Sequence, residues 1–200
     1  VNQQATRDEL LKQLTWLVYD TRPGDKILFY YSGHGYRLPE IESGNEPDGF
    51  DEAICPHDFD WLRETHAIID NEFSDIFSVV PKGVSFVWIS DSCHSGDLSE
   101  TGLKHQKTGF FSKSKIKSNN NVVLIAGSRS EQKSTFLYTD NAFHGVLTHF
   151  LLQVLNMPDG LTISLKEVMK RVKKLVKQGN YEQEPQLEGC TSLMKKSFLT

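Results

Sequence analysis

A histidine and a cysteine stand in two glycine-containing motifs, each of which follows an apolar run. The first motif is FYYSGHG (29–35), which holds His34 between two glycines, and the second is DSCHSG (91–96), which contains Cys93. A thiolate is a strong nucleophile, and a neighbouring imidazole can take the thiol proton and later protonate a leaving amine. Together, these two residue types are typical of nucleophilic acyl transfer.

The runs before both motifs predict buried strands of a parallel sheet. Residues 27–31 and 84–89 are apolar without alternation, so we expect helices to cover both faces of these strands. Ligands of such sheets bind beyond the carboxyl ends of the strands. We therefore expect His34 and Cys93 to lie just past two strand ends, at one edge of the sheet if the strands are neighbours.

The glycines beside the histidine predict a sharp turn of the main chain. Gly33 and Gly35 would leave room for a substrate backbone, and the amide N–H groups of Gly35 and Cys93 form the predicted oxyanion hole. Such donors stabilise the charge that develops on a carbonyl oxygen during acyl transfer. Taken separately, a buried apolar cysteine and a hydrogen-bonded structural histidine are the alternatives.

The rest of the chain alternates strands with helices. This order predicts an α/β fold with a mostly parallel sheet and helices on both faces. We expect helices at about 6–20, 70–80, 142–155 and 164–177, and a third buried strand at 122–125. Capping-box patterns that begin at Thr6 and Ser164 mark two of the helix starts. Residues 36–60, rich in Pro, Gly and acidic side chains, predict a long loop.

A polar, lysine-rich segment divides the chain. Residues 98–121 end in three asparagines, and loops of this length are uncommon in compact domains unless they are functional or disordered. We predict a larger front part, residues 1–97, and a smaller back part, residues 122–200, which together form one domain. A long surface connection without function is the alternative.

The composition indicates a globular protein with no strongly charged partner. Hydrophobic residues make up 38% of the 200 residues, and the formal net charge of −4 argues against a nucleic-acid partner. Three cysteines, far apart, form neither a disulfide framework nor a zinc-ligand pattern, which favours a reducing compartment. No apolar run approaches the ~20 residues that span a bilayer, and no signal peptide is recognisable. We therefore expect a cytoplasmic protein with no membrane partner.

The two motifs resemble the histidine and cysteine motifs of metacaspases and their prokaryotic relatives, the orthocaspases, which are caspase-like cysteine peptidases. Further segments similar to this family are ATRDELLKQL (5–14), EPDGFDEAICPHDF (46–59), IIDNEF (68–73), HGVLTHFLLQVL (144–155) and EPQLEG (184–189). The resemblance thus covers nearly the whole chain. It implies a caspase-like three-layer sandwich in which His34 is the general base and Cys93 the nucleophile.

By this resemblance the front part is like the large (p20) caspase subunit and the back part is like the small (p10) one. The family usually has a further strand and helix before the helix at 6–20. We therefore expect a missing N-terminal strand, from a further segment or a separate chain, to complete the sheet. The resemblance also implies a monomer.

The cysteine motif departs from the Q-A-C-x-G pattern of caspases, which select aspartate. Asp91 lies two residues before Cys93, and such residues on an extended segment point the same way. We predict that Asp91 binds the guanidinium or ammonium of a substrate Arg or Lys, which agrees with the preference of metacaspases. Ser32 is the predicted second wall of this S1 pocket. A purely local turn-forming role for Asp91 is the alternative.

Calcium-activated metacaspases have acidic ligands at positions that match Asp51, Asp70, Asn71 and Glu100 in this chain. Ca²⁺ takes six to eight oxygen ligands, and Asn71 stands where the family has a carboxylate, which lowers the ligand charge. Asp48 and Glu52 are possible substitutes. An acidic surface that is merely solvated is the alternative. No organic cofactor is expected.

The segment 98–121 contains lysines of the kind that the predicted pocket accepts. These candidate self-cleavage points are Lys104, Lys107, Lys113, Lys115 and Lys117. We expect cleavage there to separate the two parts of a zymogen without dissociating them.

The sequence therefore predicts a cysteine endopeptidase that cleaves proteins or peptides after Arg or Lys through a Cys–His dyad, with stimulation by Ca²⁺. Two other functions stay open. One is a catalytically weak caspase-like scaffold or regulatory module. The other is an α/β hydrolase or transferase that uses a Cys–His pair on non-peptide acyl groups.

Overall fold

A computed structural model describes residues 2–40, 49–94, 121–128, 134–139 and 141–198, with Cys93 and His94 described by their backbone. The helices are α1 (Arg7–Tyr19), α2 (Asp70–Ser78), α3 (Val146–Leu155), α4 (Leu165–Gln178) and α5 (Thr191–Met194), after a 3₁₀ turn at Asn2–Gln4. The strands are β1 (Lys26–Pro39), β2 (Phe50–Ile54), β3 (Ile68–Ile69), β4 (Ser85–His94), β5 (Val122–Ala126), β6 (Phe136–Thr139), β7 (Ala142–Gly145) and β8 (Gln186–Gly189). Among the described helices, none combines the length and apolarity needed to traverse a bilayer.

In the described residues, six strands form one central sheet in the order β3-β2-β1-β4-β5-β8. The three central strands, β1, β4 and β5, run parallel to one another. Strands β2, β3 and β8 extend the sheet at its two sides in antiparallel pairings. Strands β6 and β7 form a separate antiparallel hairpin. The parallel centre therefore carries the first motif singled out in the sequence and residues 91–94 of the second.

Helices cover both faces of the sheet, and side chains of β4 point alternately into the two cores. Trp88 packs on Phe73 of α2, with 4.3 Å between the ring centroids, in the cluster that also contains α1. Its neighbours Val87 and Ile89 belong to the cluster on the other face, with α3 and α4. This arrangement confirms the predicted three-layer α/β sandwich. The expected cover on both faces of β1 was wrong, because Leu28 and Tyr30 on one face of that strand are 58% and 48% exposed.

The two predicted capping boxes have different outcomes. The hydroxyl of Ser164 accepts a hydrogen bond from the backbone N–H of Glu167 at 3.2 Å, so α4 is capped as expected. Thr6 occupies the N-cap of α1 but makes no side-chain capping bond. Instead, the carboxylate of Asp58 accepts from the N–H of Arg7 at 2.8 Å. A residue distant in sequence thus performs this capping, which a local pattern cannot reveal.

Strands β1 and β4 are longer than predicted, and the expected turn at Gly33 and Gly35 was wrong. The main chain stays extended through the histidine motif, because β4 pairs with residues 26–35 of β1 and β2 continues the pairing at residues 35–39. Gly33 is required for another reason: a Cβ there would lie 2.5 Å from the hydroxyl oxygen of Tyr31. The whole of the first motif and residues 91–94 of the second are therefore parts of strands rather than turns beyond them.

Three further segments differ from the prediction. The expected loop at 36–60 contains the end of β1 and the whole of β2. The helix predicted at 142–155 begins at Val146, because residues 142–145 pair with β6 in the hairpin. Strand β8 was not predicted, since four residues that pair at a sheet edge carry little periodic signal.

Candidate active site

His34 of β1 and Cys93 of β4 are register partners on neighbouring parallel strands. Two residues earlier, Ser32 pairs with Asp91 in the same ladder. Paired strands lie about 4.8 Å apart, so the backbones of all four residues are close. The structure thus brings together, on two rungs of one strand pair, the residues predicted for the dyad and the S1 pocket.

The backbone of His34 is fixed from two sides. Its carbonyl oxygen accepts from the hydroxyl of Tyr31 at 2.8 Å and from the N–H of Cys55 at 2.9 Å. The imidazole is exposed and lies edge-on to the indole of Trp61, with ring centroids 5.6 Å apart. Two of these contacts, with Cys55 and Trp61, join segments that only the fold brings together, so the sequence alone did not reveal them. The third joins residues three apart on β1 and depends on the extended course of that strand.

Asp91 is 2% exposed and its carboxylate is held at the start of α3. Oδ2 accepts from the backbone N–H of Thr148 at 2.8 Å and from its hydroxyl at 2.5 Å. The hydroxyl of Ser134 donates to Oδ1 at 3.3 Å. Thr148 is the third residue of α3, so the negative charge lies at the positive end of the helix dipole. The sequence did not reveal Thr148 or Ser134 as partners of this carboxylate.

The carboxylate of Asp91 also explains a glycine in the back part of the chain. A Cβ at Gly145 would lie 2.0 Å from Oδ2 of Asp91, so a side chain larger than hydrogen does not fit. On the β1 side, the hydroxyls of Tyr30 and Thr148 are 2.9 Å apart and share a hydrogen bond. Front and back parts of the chain therefore meet at Asp91.

A groove of about 1300 Å³ opens beside β1. Its walls are residues 29–34 of β1, one side of α1, and the segment after β2 that includes Pro56 and Trp61. His34 lies at this groove.

The residues matched to calcium ligands are partly brought together. Asp51 and Asp70 are fully buried, and the side-chain amide of Asn71 donates to Oδ1 of Asp51 at 3.3 Å. Glu52 forms a buried pair with Arg37 at 3.9 Å. Glu100 and Asp48 lie outside the described residues. Within the described ranges, no three His, Cys, Asp or Glu side chains cluster as metal ligands do.

Three other predictions concern residues around this site. Gly35, predicted for the oxyanion hole, pairs in register with both Ile54 and His94. Cys55 and Cys190 are buried, and neither forms a disulfide bond within the described residues. The five linker lysines lie outside the described residues.

Comparison with known proteins identifies the family. A sequence model described as the metacaspase, peptidase C14 domain matches residues 1–101. This chain belongs to the metacaspase family. The family predicted from the two motifs is therefore confirmed.

Individual relatives support the same assignment. Metacaspase-1 of Coccidioides immitis is 45% identical over 94 residues, which cover 46% of this chain and 20% of that metacaspase. Metacaspase-2 of Trypanosoma brucei brucei is 26% identical over 208 residues, covering 95% of this chain and 58% of the relative. The chain thus spans only part of the length of either metacaspase.

A solved structure has the same fold. The crystal structure of protein GSU0716 from Geobacter sulfurreducens matches with a TM-score of 0.71 and 23% sequence identity, covering 100% of this chain and 80% of that chain. At this level of identity the likeness concerns the fold of the metacaspase chain.

Proposed function

We propose that this metacaspase chain is a cysteine endopeptidase that cleaves peptide bonds after Arg or Lys. Cys93 is the nucleophile and His34 the general base. The observation that carries the proposal is the pairing of these two residues in one rung of the central sheet. Membership of a peptidase family supports it.

The proposed reaction is acyl transfer in two steps. The imidazole of His34 takes the thiol proton, and the sulfur of Cys93 attacks the carbonyl carbon of the scissile bond. The C–N bond then breaks, and the imidazolium protonates the leaving amine. Water, deprotonated by the imidazole, hydrolyses the thioester and regenerates the thiol. Backbone N–H groups of Gly35 and Cys93 are the proposed donors to the oxyanion.

Selectivity for Arg or Lys is proposed to come from Asp91, with Ser32 as its neighbour across the ladder. The carboxylate of Asp91 is fixed by three hydrogen bonds from Thr148 and Ser134. A carboxylate has about four lone-pair directions, so it can accept a further, charge-assisted bond from a substrate guanidinium or ammonium. Because these bonds hold the carboxylate in place before the substrate binds, less side-chain conformational entropy is lost on binding.

Calcium stimulation is part of the proposal. Asp51, Asp70 and Asn71 provide the hard oxygen donors that Ca²⁺ prefers, and the two carboxylates are buried. Further ligands, including Glu100, are proposed from outside the described residues. A bound Ca²⁺ would neutralise the two carboxylates. The test is the Tm with and without CaCl₂: it should rise for the unaltered chain and stay constant for Asp51→Asn.

We also propose two features of the whole protein. The segment 98–121 is cut at one of its lysines by the enzyme itself, which mass spectrometry of the active protein and of Cys93→Ala would detect.

The second feature concerns the sheet. A further strand, from the same protein or another chain, pairs with β1. In the described residues, β2 pairs with only residues 35–39 of β1, whereas β4 flanks the opposite side along residues 26–35.

The experiment for the proposed function uses fluorogenic peptides that end in Arg, Lys or Asp, each with and without CaCl₂. We expect hydrolysis after Arg and Lys by the unaltered chain and none by Cys93→Ala. Cys55→Ala and Cys190→Ala are matched controls that should retain activity. Cleavage after Asp alone would contradict the role of Asp91. The absence of cleavage by any of these proteins would favour a scaffold or regulatory function. Cleavage of non-peptide esters alone would favour a hydrolase of a different kind.

A further inference from the structure

A half-exposed tryptophan lies against the imidazole of the proposed dyad. The planes of Trp61 and His34 meet at 85°, and 51% of Trp61 is exposed to solvent. We propose that Trp61 is a positioning residue, which restricts the rotation of the imidazole and keeps it aligned for proton transfer. This inference rests on the proposed peptidase function and extends it to a residue outside both motifs.

His34 needs such a constraint on its side chain. Its backbone is fixed through the carbonyl contacts with Tyr31 and Cys55, but these leave the two side-chain torsions of the histidine free. In Cys–His sites a third group generally orients the base. In the part of the chain that the structure describes, the side-chain contact that restrains this imidazole is the ring of Trp61.

The indole of Trp61 is itself held firmly. It packs at 90° on Phe59 with a centroid separation of 4.8 Å, and at 89° on Tyr36 with 6.0 Å. Phe59 is 6% exposed, so it anchors the indole to the protein interior. Edge-to-face pairs of this kind are favourable beyond their buried area. The imidazole therefore rests on a ring that cannot easily move away.

The loop that carries Trp61 is built from bonds that do not involve the indole. The carboxylate of Asp60 accepts from the N–H of Leu62 at 2.9 Å, and the N–H of Asp60 donates to the carbonyl of Thr65 at 3.0 Å. The hydroxyl of Tyr36 donates to the carboxylate of Glu64 at 2.5 Å. Substituting Trp61 should therefore leave the path of this loop unchanged.

The same loop contains backbone conformations that are costly for residues other than glycine. Glu64 and His66 have φ angles of 53° and 67°, and such conformations persist where the surrounding structure enforces them. The hydrogen bonds of Asp60 and Tyr36 hold the loop in these conformations, together with the bond between the His66 imidazole and the carbonyl of Asp58 at 3.0 Å. The loop is thus a stiff support for the indole.

The test compares Trp61→Leu with Trp61→Phe, which keeps an aromatic ring. Trp16→Leu is the matched control, because Trp16 is similarly exposed at 58% but lies on α1. We expect Trp61→Leu to lower kcat for an Arg peptide by roughly three- to tenfold with KM within about twofold, because the contact is an aromatic pair. Trp61→Phe should recover most of kcat, and Trp16→Leu should not change it.

An NMR measurement on the inactive Cys93→Ala background tests the contact without activity. The imidazole C–H resonances of His34, assigned by their loss in His34→Gln, should carry a ring-current shift. Trp61→Leu should abolish this shift and Trp16→Leu should preserve it.

The two readouts separate the possible failures. A lost ring-current shift with unchanged kcat would overturn the positioning role and leave the proposed function intact. An unchanged shift in Trp61→Leu would overturn the contact itself, and equal losses of kcat in the Leu and Phe variants would refute the need for a ring. If the unaltered chain hydrolyses no peptide, the proposed function fails and the positioning role fails with it.

Discussion

His34 and Cys93 occupy the same rung of the ladder between β1 and β4. Their separation is therefore set by the spacing of paired strands rather than by the course of two loops. Sites built on strands are held more accurately than sites built on loops. The pairing of Ser32 with Asp91 two residues earlier extends the same rigid frame to the proposed S1 pocket.

Replacing Asp91 should affect stability and substrate binding, whereas replacing Thr148 should affect stability alone. Asp91→Asn is expected to lower kcat/KM for an Arg peptide at least about 30-fold, since a buried charge partner is lost. Thr148→Ala removes one of the bonds to Asp91 but keeps its charge. It should therefore cost about 1 kcal/mol in urea unfolding and leave kcat/KM within a few-fold. Equal losses of kcat/KM in both variants would contradict the role of the charge.

A methyl group at Gly145 should clash with the carboxylate of Asp91, because the added Cβ would lie 2.0 Å from Oδ2. We expect Gly145→Ala to lower the free energy of unfolding by about 1–3 kcal/mol. In an Asp91→Ala background the same change should cost clearly less, since the clashing atoms are absent. A double-mutant cycle of urea unfolding measures this coupling, and additive effects would argue against the contact.

The pair of Arg37 and Glu52 is buried, with side-chain exposures of 6% and 2%. Arg37→Met should lower the free energy of unfolding by about 3–5 kcal/mol, because it leaves the carboxylate of Glu52 buried without its cation. The double variant Arg37→Met with Glu52→Met should recover much of that loss, as it removes both charges. Urea unfolding of the three proteins checks this, and a double variant no more stable than the single one would refute it.

Tyr36 should contribute to the free energy of unfolding, and this contribution should be lost at alkaline pH. The hydrogen bond to Glu64, with burial as the second cause, raises the pKa of Tyr36 from 10.0 to about 12. The folded state therefore holds this proton more tightly than the unfolded state does. The contribution is fully present below pH 10.0 and is lost as the pH rises through about 12.

Tyr36→Phe is the variant that tests this pH dependence. Its free energy of unfolding should fall less steeply between pH 10.0 and about 12 than that of the unaltered chain. Tyr138→Phe, at an exposed tyrosine of the hairpin, is the control and should retain the steep fall. Identical slopes for all three proteins would contradict the assigned cause.

Features that depend on a pattern of residues within one segment could be predicted from the sequence. Helical spacing predicted α1, α2 and α4, and unbroken apolar runs predicted the parallel centre of the sheet. The order of the two motifs identified the family. These features can be recognised in a single sequence because each depends on many residues of one segment.

Features that depend on contacts between distant segments could not be predicted. The extension of β1 beyond its apolar run requires β2 as an antiparallel partner, and the cap of α1 requires Asp58. The support of the Asp91 carboxylate by Thr148 and the contact of His34 with Trp61 likewise join residues far apart in sequence. Only the folded sheet places these groups together.

The pairing of Cys93 with His34 as a catalytic dyad can be tested by covalent labelling with a peptidyl chloromethyl ketone that ends in arginine, followed by peptide mass mapping. We expect alkylation of Cys93, with Cys55 and Cys190 unmodified, and a large loss of labelling in His34→Gln. Labelling of all three cysteines at similar rates, or undiminished labelling of Cys93 without the imidazole, would contradict a Cys93–His34 dyad.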